Sequence, residues 1–567
     1  MQEKKLQLAE YVIIGLMIIA GLLTIWRCFY TVDLTDESYI YADALATIKG
    51  NIPYAHNFTE GAGMSFITMV FLWVYMRIVP SLAGVVLYLR LCFATLRLFE
   101  VYVIYKLLRK KHDRMPVLLG CSILVVWHYF SNYFSYNTIP VFLILLVGVV
   151  FYVNVDSDRT KKTYLTFGIM GVLSALSAFA NPFFAVSVVE IIIALFVLSP
   201  KNEKIKTVLS YCAGGIIQGL VVFIGICAQV GYRAFFHGLK CMIVVGSQQN
   251  TFNRASRLRK YFDRYWLLFV MILVAFLIGL LIEKIRKETS CTFAIELSLL
   301  AGFVFMLFNS GWCTDIWKVG GHIGTAVSYI AIVMYVRKRY TMFWFTGVPL
   351  ITITFLELLC SKGGFAGIHS SFAVPALVGM IIELYEDGDK VDRILNNIVT
   401  FLIFASLLFA DVIYVYRDES LASLHTKVLA GVYKGIITTE QNAKCLPEME
   451  DYLRTTISPD EYIAFRDCVP FAYLMFEAKC CDLKTWDPLD YSYGKNTDPA
   501  IVLKYFENKG HIPDEMIYID FGRDANLSAE DEEWRFNEWL NSYYVYDDEL
   551  QLNEKFRVLR YKNVIGE

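Results

Sequence analysis

This 567-residue chain is dominated by a succession of apolar blocks, each of roughly 20 residues, divided by short stretches rich in Lys and Arg. About 20 residues of helix span the hydrocarbon core of a bilayer, and basic residues gather in the loops that remain cytoplasmic. A chain patterned this way has too much apolar surface for one soluble core. It reads as mostly α, a polytopic membrane protein. Only 19% of its residues are charged, against about a quarter in soluble domains, and its mean hydropathy is +0.47. A soluble enzyme, a secreted disulfide scaffold, a disordered chain and a nucleic-acid binder are all disfavoured.

The net charge of −2 conceals two parts. From Arg417 onward the chain holds 29 of the 54 acidic and 17 of the 52 basic residues, a net of −12 against +10 for what precedes. Residues 1–416 are therefore expected to form a transmembrane domain, and 417–567 a small extracytoplasmic α/β domain. In that tail, helical patterns at Glu440–Thr456, Pro499–Asn508 and Glu530–Tyr543 alternate with strand-like runs at Tyr462–Phe465, Met516–Phe521 and Lys555–Tyr561. The thirteen cysteines are dispersed without any CxxC, so no zinc site is expected. Cys445, Cys468, Cys480 and Cys481 could form a disulfide in an extracytoplasmic tail, with no pairing implied.

The first block, Tyr11–Tyr30, has no cleavage site after it, and Lys4 and Lys5 precede it. It reads as an uncleaved span with a cytoplasmic N-terminus. Residues 31–83 begin with Asp33, Asp36 and Glu37, continue as an amphipathic segment over Tyr39–Lys49, and end in the apolar segment Met64–Val79. Counting that last segment as a span would place Lys110, Lys111 and Arg114 outside, so it is taken as interfacial. Twelve further spans follow, near 84–106, 116–131, 139–154, 163–180, 183–199, 207–230, 265–282, 292–309, 320–336, 341–360, 371–385 and 395–416. Every inside loop of this thirteen-span arrangement carries Lys or Arg. No internal repeat is evident, which weighs against inverted-repeat transporter folds.

Adjacent acids near a membrane surface, such as Asp36 and Glu37, are ordinarily a solvated loop or the start of a helix. They can also supply a general base. In "VDLTDESYIYADALATIKGNIPY" the order is one span, Asp-Glu, a helix containing Tyr39 and a "KGNIPY" ending. With the "FSYNTIP" and "SKGGFAGIHSSFAVPAL" segments, this resembles the first extracytoplasmic loop and later outside turns of the GT-C superfamily. These are integral-membrane glycosyltransferases that use polyprenyl-phosphate sugar donors, and protein O-mannosyltransferases and the lipid A aminoarabinose transferase are among them.

The resemblance implies that Asp36 is the first-loop catalytic acid, with Glu37 supporting it or helping to bind a divalent cation. Tyr39 falls in the helix that follows. In the second outside loop, where the family often has another acid, Tyr136 and Asn137 stand instead and are expected to contact the sugar. A lipid phosphate leaving group needs positive charge rather than an acid. Candidates are Arg90 within a span and Arg254, Arg257 and Lys260 at three-residue spacing in the loop 231–264. Lys318 and His322 follow Trp312 and Trp317, which also suits an anchoring belt, and Lys362 and His369 flank a glycine-rich turn that is equally a plain connection. Glu190, Glu296 and Glu357 are acids within apolar blocks.

The reading is a plasma-membrane glycosyltransferase, working with inversion, that passes a sugar from a polyprenyl-phosphate donor to an extracytoplasmic acceptor. The alternatives are a transporter or flippase of lipid-linked sugars and a non-catalytic polyprenyl-phosphate-sugar binder. Neither nucleic acid nor a resident metal is called for beyond that divalent cation.

Overall fold

The structure, a computed structural model, describes residues 2–57, 61–128, 132–156, 160–248, 254–288, 290–337, 341–360, 368–465, 469–480, 512–520, 542–552 and 556–564. It is mostly helical. The first helix, α1 (Gln2–Arg27), is followed by two short ones, α2 (Asp36–Ile48) and α3 (Ser65–Ile78). Then come α4 (Val85–Leu108), α5 (Arg114–Val126), α6 (Thr138–Asn154), α7 (Lys161–Ala180) and α8 (Ala185–Leu198). The long α9 (Lys204–Gln248) and α10 (Arg254–Arg286) lead into α11 (Thr292–Asn309), α12 (Ile316–Arg337) and α13 (Thr341–Cys360). The bundle closes with a 3-10 stretch, Ile368–Ala376, α14 (Leu377–Asp387) and α15 (Lys390–Ile413).

Seven helical segments are long and apolar enough to cross a membrane: Gln7–Arg27, Lys161–Ala180, Lys204–Val230, Ser256–Arg286, Thr292–Asn309, Ile316–Met334 and Lys390–Ile413. Shorter apolar helices, such as Arg114–Val126 and Thr138–Asn154, pack among them. The chain is a multi-pass membrane protein. Length and apolarity alone single out only seven of the thirteen expected spans among the described residues. One reason is that α4, although long enough, carries Arg90, Arg97, Glu100 and Lys106. Another is that α14 is only 11 residues.

Two expectations about the connections are corrected. The segment Tyr39–Lys49 is not amphipathic in its surroundings, because all of Glu37–Thr47 is buried. The tail explains this: the turn Pro470–Leu474 packs on α2, and Lys49 Nζ donates to the Phe476 carbonyl at 3.2 Å. Residues 231–264 are not an extended loop either. The span expected to end at 230 does break there, where Gly231 adopts φ +81°, but helix resumes on both sides of the short gap before Arg254. That left-handed φ is open to glycine at little cost.

Helices approach most closely where glycine removes the side chain. In α7 and α9, a Cβ on Gly171 would lie 1.9 Å from the Tyr211 carbonyl oxygen, and one on Gly214 would lie 1.8 Å from that of Gly168. Backbone atoms cannot yield as a side-chain tip can. Gly171→Ala is therefore expected to destabilise by about 1–3 kcal/mol, read as a lower Tm in detergent. A native Tm for this variant would contradict the packing.

The tail carries α16 (Glu440–Thr456), with the bounds the sequence pattern gives, capped by Thr439 Oγ accepting from Asn442 N at 3.2 Å. A two-stranded ribbon, β1 (Thr426–Lys427) and β2 (Ile437–Thr438), precedes it. The strands β3 (Tyr462–Phe465), β4 (Lys479–Cys480), β5 (Glu515–Asp520), β6 (Tyr544–Gln551) and β7 (Arg557–Asn563) form one sheet in the order β4-β3-β5-β7-β6. The β3 strand runs parallel to β4 and β5, while β7 is antiparallel to β5 and β6. Expected helices over Pro499–Asn508 and most of Glu530–Tyr543 lie outside the described residues. The tail docks on the chain after α1: Thr31 N donates to the Ile437 carbonyl at 2.9 Å, and Ile437 N to that of Phe29 at 2.7 Å. Ser38 and Tyr433 hydroxyls meet at 2.6 Å.

Candidate active site

The start of α2 is fixed by Asp33. Its Oδ1 accepts from Thr35 N at 2.9 Å and Asp36 N at 3.2 Å, and its Oδ2 from Glu37 N at 2.9 Å. One buried carboxylate thus satisfies three amides that an unfinished helix turn leaves without partners. Consecutive helical residues do not face each other, and Asp36 and Glu37 accordingly diverge.

Glu37 turns into the protein. Arg90 from α4 grips it through Nε, at 2.6 Å, and through Nη2, while the Tyr41 hydroxyl donates at 3.1 Å. The Arg90 and Glu37 side chains are only 5% and 1% exposed. Arg90 Nη1 is shared by the carbonyls of Cys28, Tyr30 and Thr31, at 2.9–3.1 Å. Its donors are committed to holding α2 against the end of α1. Burial pushes the Glu37 carboxyl above its usual range, and the Arg90 charge offsets this only in part.

Asp36 turns towards the linker that follows α15. The Tyr416 hydroxyl donates to its Oδ2, and Arg417 Nη1 lies 3.2 Å from the same oxygen. Burial, then the nearby Asp36 charge, raises the Tyr416 hydroxyl well above its usual range, so it stays protonated and donates. Burial works against the charge of Arg417, but Asp36 and Tyr416 raise its pKa on balance. Trp317 stacks on Tyr416 with ring centres 5.5 Å apart.

Between these groups and the helices is a cavity with about 40 Å³ of free space, room for roughly one water. Arg27, Arg90, His128, Asn132, Tyr133, Asp411, Tyr414 and Tyr416 are among its lining residues. Asp411, near the end of α15, organises one wall. His128 Nε2 lies 2.6 Å from its Oδ1, Asn132 Nδ2 donates to the same oxygen at 3.4 Å, and Thr24 Oγ donates to Oδ2 at 3.3 Å. Arg27, the last residue of α1, donates from Nε to the Asp411 carbonyl at 3.1 Å and from Nη2 to that of Tyr414 at 2.7 Å. Arg27 Nη1, His128 Nδ1 and Asn132 Oδ1 are buried and have no hydrogen-bond partner among the described residues.

The sequence-derived candidates distribute unevenly around this cavity. Arg90 and Glu37 line it, and Asp36 faces Tyr416 on its wall. Tyr39 is buried in α2. The second loop reaches the cavity through Asn132 and Tyr133. Tyr136 packs instead against Gly61, and Asn137 is buried with its amide on Ser135 Oγ at 3.1 Å. On α10, Arg257 is half-buried and Lys260 exposed. Lys318 pairs with Asp315 at 3.1 Å, and His322 is buried between the rings of Tyr265 and Phe305. None of these four lines the cavity. The side chains of Arg254, Lys362 and His369 lie outside the described residues.

Arg27, His128, Asp411, Tyr416 and Arg417 were not singled out by sequence. Three of them carried a usable signal, since Arg27, His128 and Asp411 are ionisable residues at or within apolar blocks, where such groups are costly and mark function. Arg417 and Arg90 supply positive charge beside Asp36 and Glu37. Among the described residues no three His, Cys, Asp or Glu side chains are placed to hold a metal.

No family model matches the chain, and no curated protein does. Among solved structures it is similar to the oligosaccharyltransferase of Archaeoglobus fulgidus in three complexes. Against the complex with zinc and sulfate the identity is 12% and the TM-score 0.39, covering 89% of this chain and 68% of that one. Against the form tethered to an acceptor peptide the values are 10% and 0.43, covering 89% and 69%. Against the complex of this enzyme, AglB, with an inhibitory peptide and a dolichol-phosphate, they are 11% and 0.38, covering 98% and 75%.

Proposed function

We propose that the chain is a membrane glycosyltransferase of GT-C type that moves a sugar from a polyprenyl-phosphate-linked donor to an acceptor on the extracytoplasmic side. One observation carries this reading: Asp36 sits at the end of the α1 and α15 spans, beside a buried cavity lined by arginines. A donor anchored in the bilayer presents its head group at that level, and an acceptor can approach from the side of the tail. Residues 1–416 would be the catalytic membrane domain, with a cytoplasmic N-terminus, and 417–567 the domain that receives the acceptor.

In the proposed reaction, Asp36 takes the proton of an acceptor hydroxyl. The freed oxygen forms a bond to the anomeric carbon as the bond from that carbon to the phosphate oxygen breaks. The electron pair leaves on polyprenyl phosphate, and attack from the opposite face inverts the centre. The hydroxyl of Tyr416, donating to Asp36, occupies the position an acceptor hydroxyl would take. Glu37 is a positioning residue, which with Arg90 holds α2 so that Asp36 faces Tyr416 on the cavity's wall.

The test uses purified protein in lipid, radiolabelled polyprenyl-phosphate sugars and a cell-envelope extract as acceptor. Label is expected to move from the lipid into the extract only when the protein is present. Label that stays on the lipid with every donor sugar would contradict the reading.

A further inference from the structure

We propose that Tyr433, in the tail loop 428–436, is a positioning residue for Asp36, and that through this loop the tail domain sets the turn carrying the catalytic acid. The role given to Asp36 rests on the transferase reading above; the hold on the turn does not. Tyr433 is 1% exposed, and Ser38 is fully buried. Their hydroxyls meet at 2.6 Å. Ser38 has a single hydroxyl hydrogen and donates it to the Asp33 carbonyl at 2.5 Å. The Tyr433 hydroxyl is therefore the donor to Ser38 Oγ. Burial raises it well above its usual range, so that hydrogen stays in place.

This relay ends on the residue that builds the turn. Asp33 accepts from the amides of Thr35, Asp36 and Glu37 through its carboxylate and from Ser38 through its backbone carbonyl. The chain entering α2 is bound to the tail as well, since Val32 N donates to Asp418 Oδ2 at 3.0 Å, next to the contact of Thr31 with Ile437.

The same loop reaches α4. Gly84 N donates to the Gly431 carbonyl at 3.0 Å and Val86 N to that of Val432 at 3.4 Å. Amides in a first helical turn have no partner inside the helix, so the loop completes the start of α4. One turn further along α4 is Arg90, which grips Glu37. On its other side the loop is tied to the tail: Val432 N donates to Glu450 Oε2 at 2.8 Å, and Arg454 Nε holds Glu450 Oε1 at 3.0 Å. One tail loop thus bears on both α2 and α4, the helices whose relative placement decides where Asp36 points. The competing role for Tyr433 is packing alone, and packing needs only its ring.

The experiment measures kcat and donor KM of sugar transfer by the full chain in phosphatidylcholine nanodiscs, with hydrogen–deuterium exchange over residues 33–38 on the same samples. Tyr433→Phe keeps the buried ring and removes the hydroxyl. It is expected to lower kcat about 10–100-fold, the effect of misplacing a reacting group, with donor KM unchanged. The amides of the turn should exchange about two- to tenfold faster, the worth of one hydrogen bond. Ser38→Ala breaks the relay from its other side and should act alike, and the two changes together should cost no more than the larger alone. In the Asp36→Asn protein, Tyr433→Phe should lower the residual rate no further. Where the native chain transfers sugar, the rates decide: native kcat in both single variants, even with a lowered Tm, or the same fold-loss with and without the Asp36 carboxylate, overturns the positioning role. Should one variant fail to fold, the other decides alone. Where the native chain transfers no sugar, exchange decides: faster exchange in the variants upholds the hold on α2 and dismisses only the transferase, while native exchange overturns the hold as well.

Discussion

Asp36→Asn is expected to lower the rate of sugar transfer by about 10²–10⁴-fold, the usual contribution of a general base, while the protein remains folded. The amide has the shape of the carboxylate, so its oxygen can still accept from Tyr416. The turn that presents it is held by Asp33 and is unaffected. The substitution removes proton affinity and the charge opposite Arg417, and little else. Initial rates at saturating donor, alongside the Tm of both proteins, separate this outcome from simple unfolding. A variant that transfers at a rate within a few-fold of native would remove Asp36 from the chemistry.

The largest effect on stability is expected from Arg90→Leu. This strands the Glu37 carboxylate in a site where it is 1% exposed and frees the carbonyls of Cys28, Tyr30 and Thr31. Breaking a buried pair from one side costs about 3–5 kcal/mol. The double variant Glu37→Leu, Arg90→Leu is expected to recover part of that, since two apolar residues leave no uncompensated charge. Thermal unfolding in detergent gives all four corners of the cycle. An Arg90→Leu protein with native Tm, or a double variant whose loss is the plain sum of the single losses, would show that the pair does not hold α2 in place.

Much of the helical layout could be read from the sequence because the signal is local. Apolar block length locates α7, α11 and α15, and helical periodicity gives α16 its bounds. The first loop was only half legible. Its acids and its two helices are apparent, but α2 looks amphipathic because nothing local reveals that residues 470–474 come to cover its polar side. Local hydropathy singles out only seven of the thirteen expected spans among the described residues, since charges such as Arg97 that are buried inside the bundle disqualify a helix on hydropathy alone.

The candidate site divides along the same line. Asp36, Glu37 and Arg90 could be found as charges in improbable places. That Arg90 pairs with Glu37 could not, because the pairing joins residues 53 positions apart. The linker residues Tyr416 and Arg417 looked like the ordinary edge of a span, and only the return of the chain to α1 brings them onto Asp36. Tyr136 and Asn137 share a loop with Asn132 and Tyr133, which line the cavity.

The most direct test follows one molecule of donor through the protein. Proteoliposomes carrying the chain would be loaded with a polyprenyl-phosphate sugar labelled in both sugar and lipid, and given an acceptor on the side of the tail domain. A transferase breaks the bond between sugar and phosphate, so acceptor-bound sugar and free polyprenyl phosphate should appear in equal amounts, and neither should appear with Asp36→Asn. Movement of intact, doubly labelled donor across the bilayer, without release of polyprenyl phosphate, would contradict this and identify a transporter.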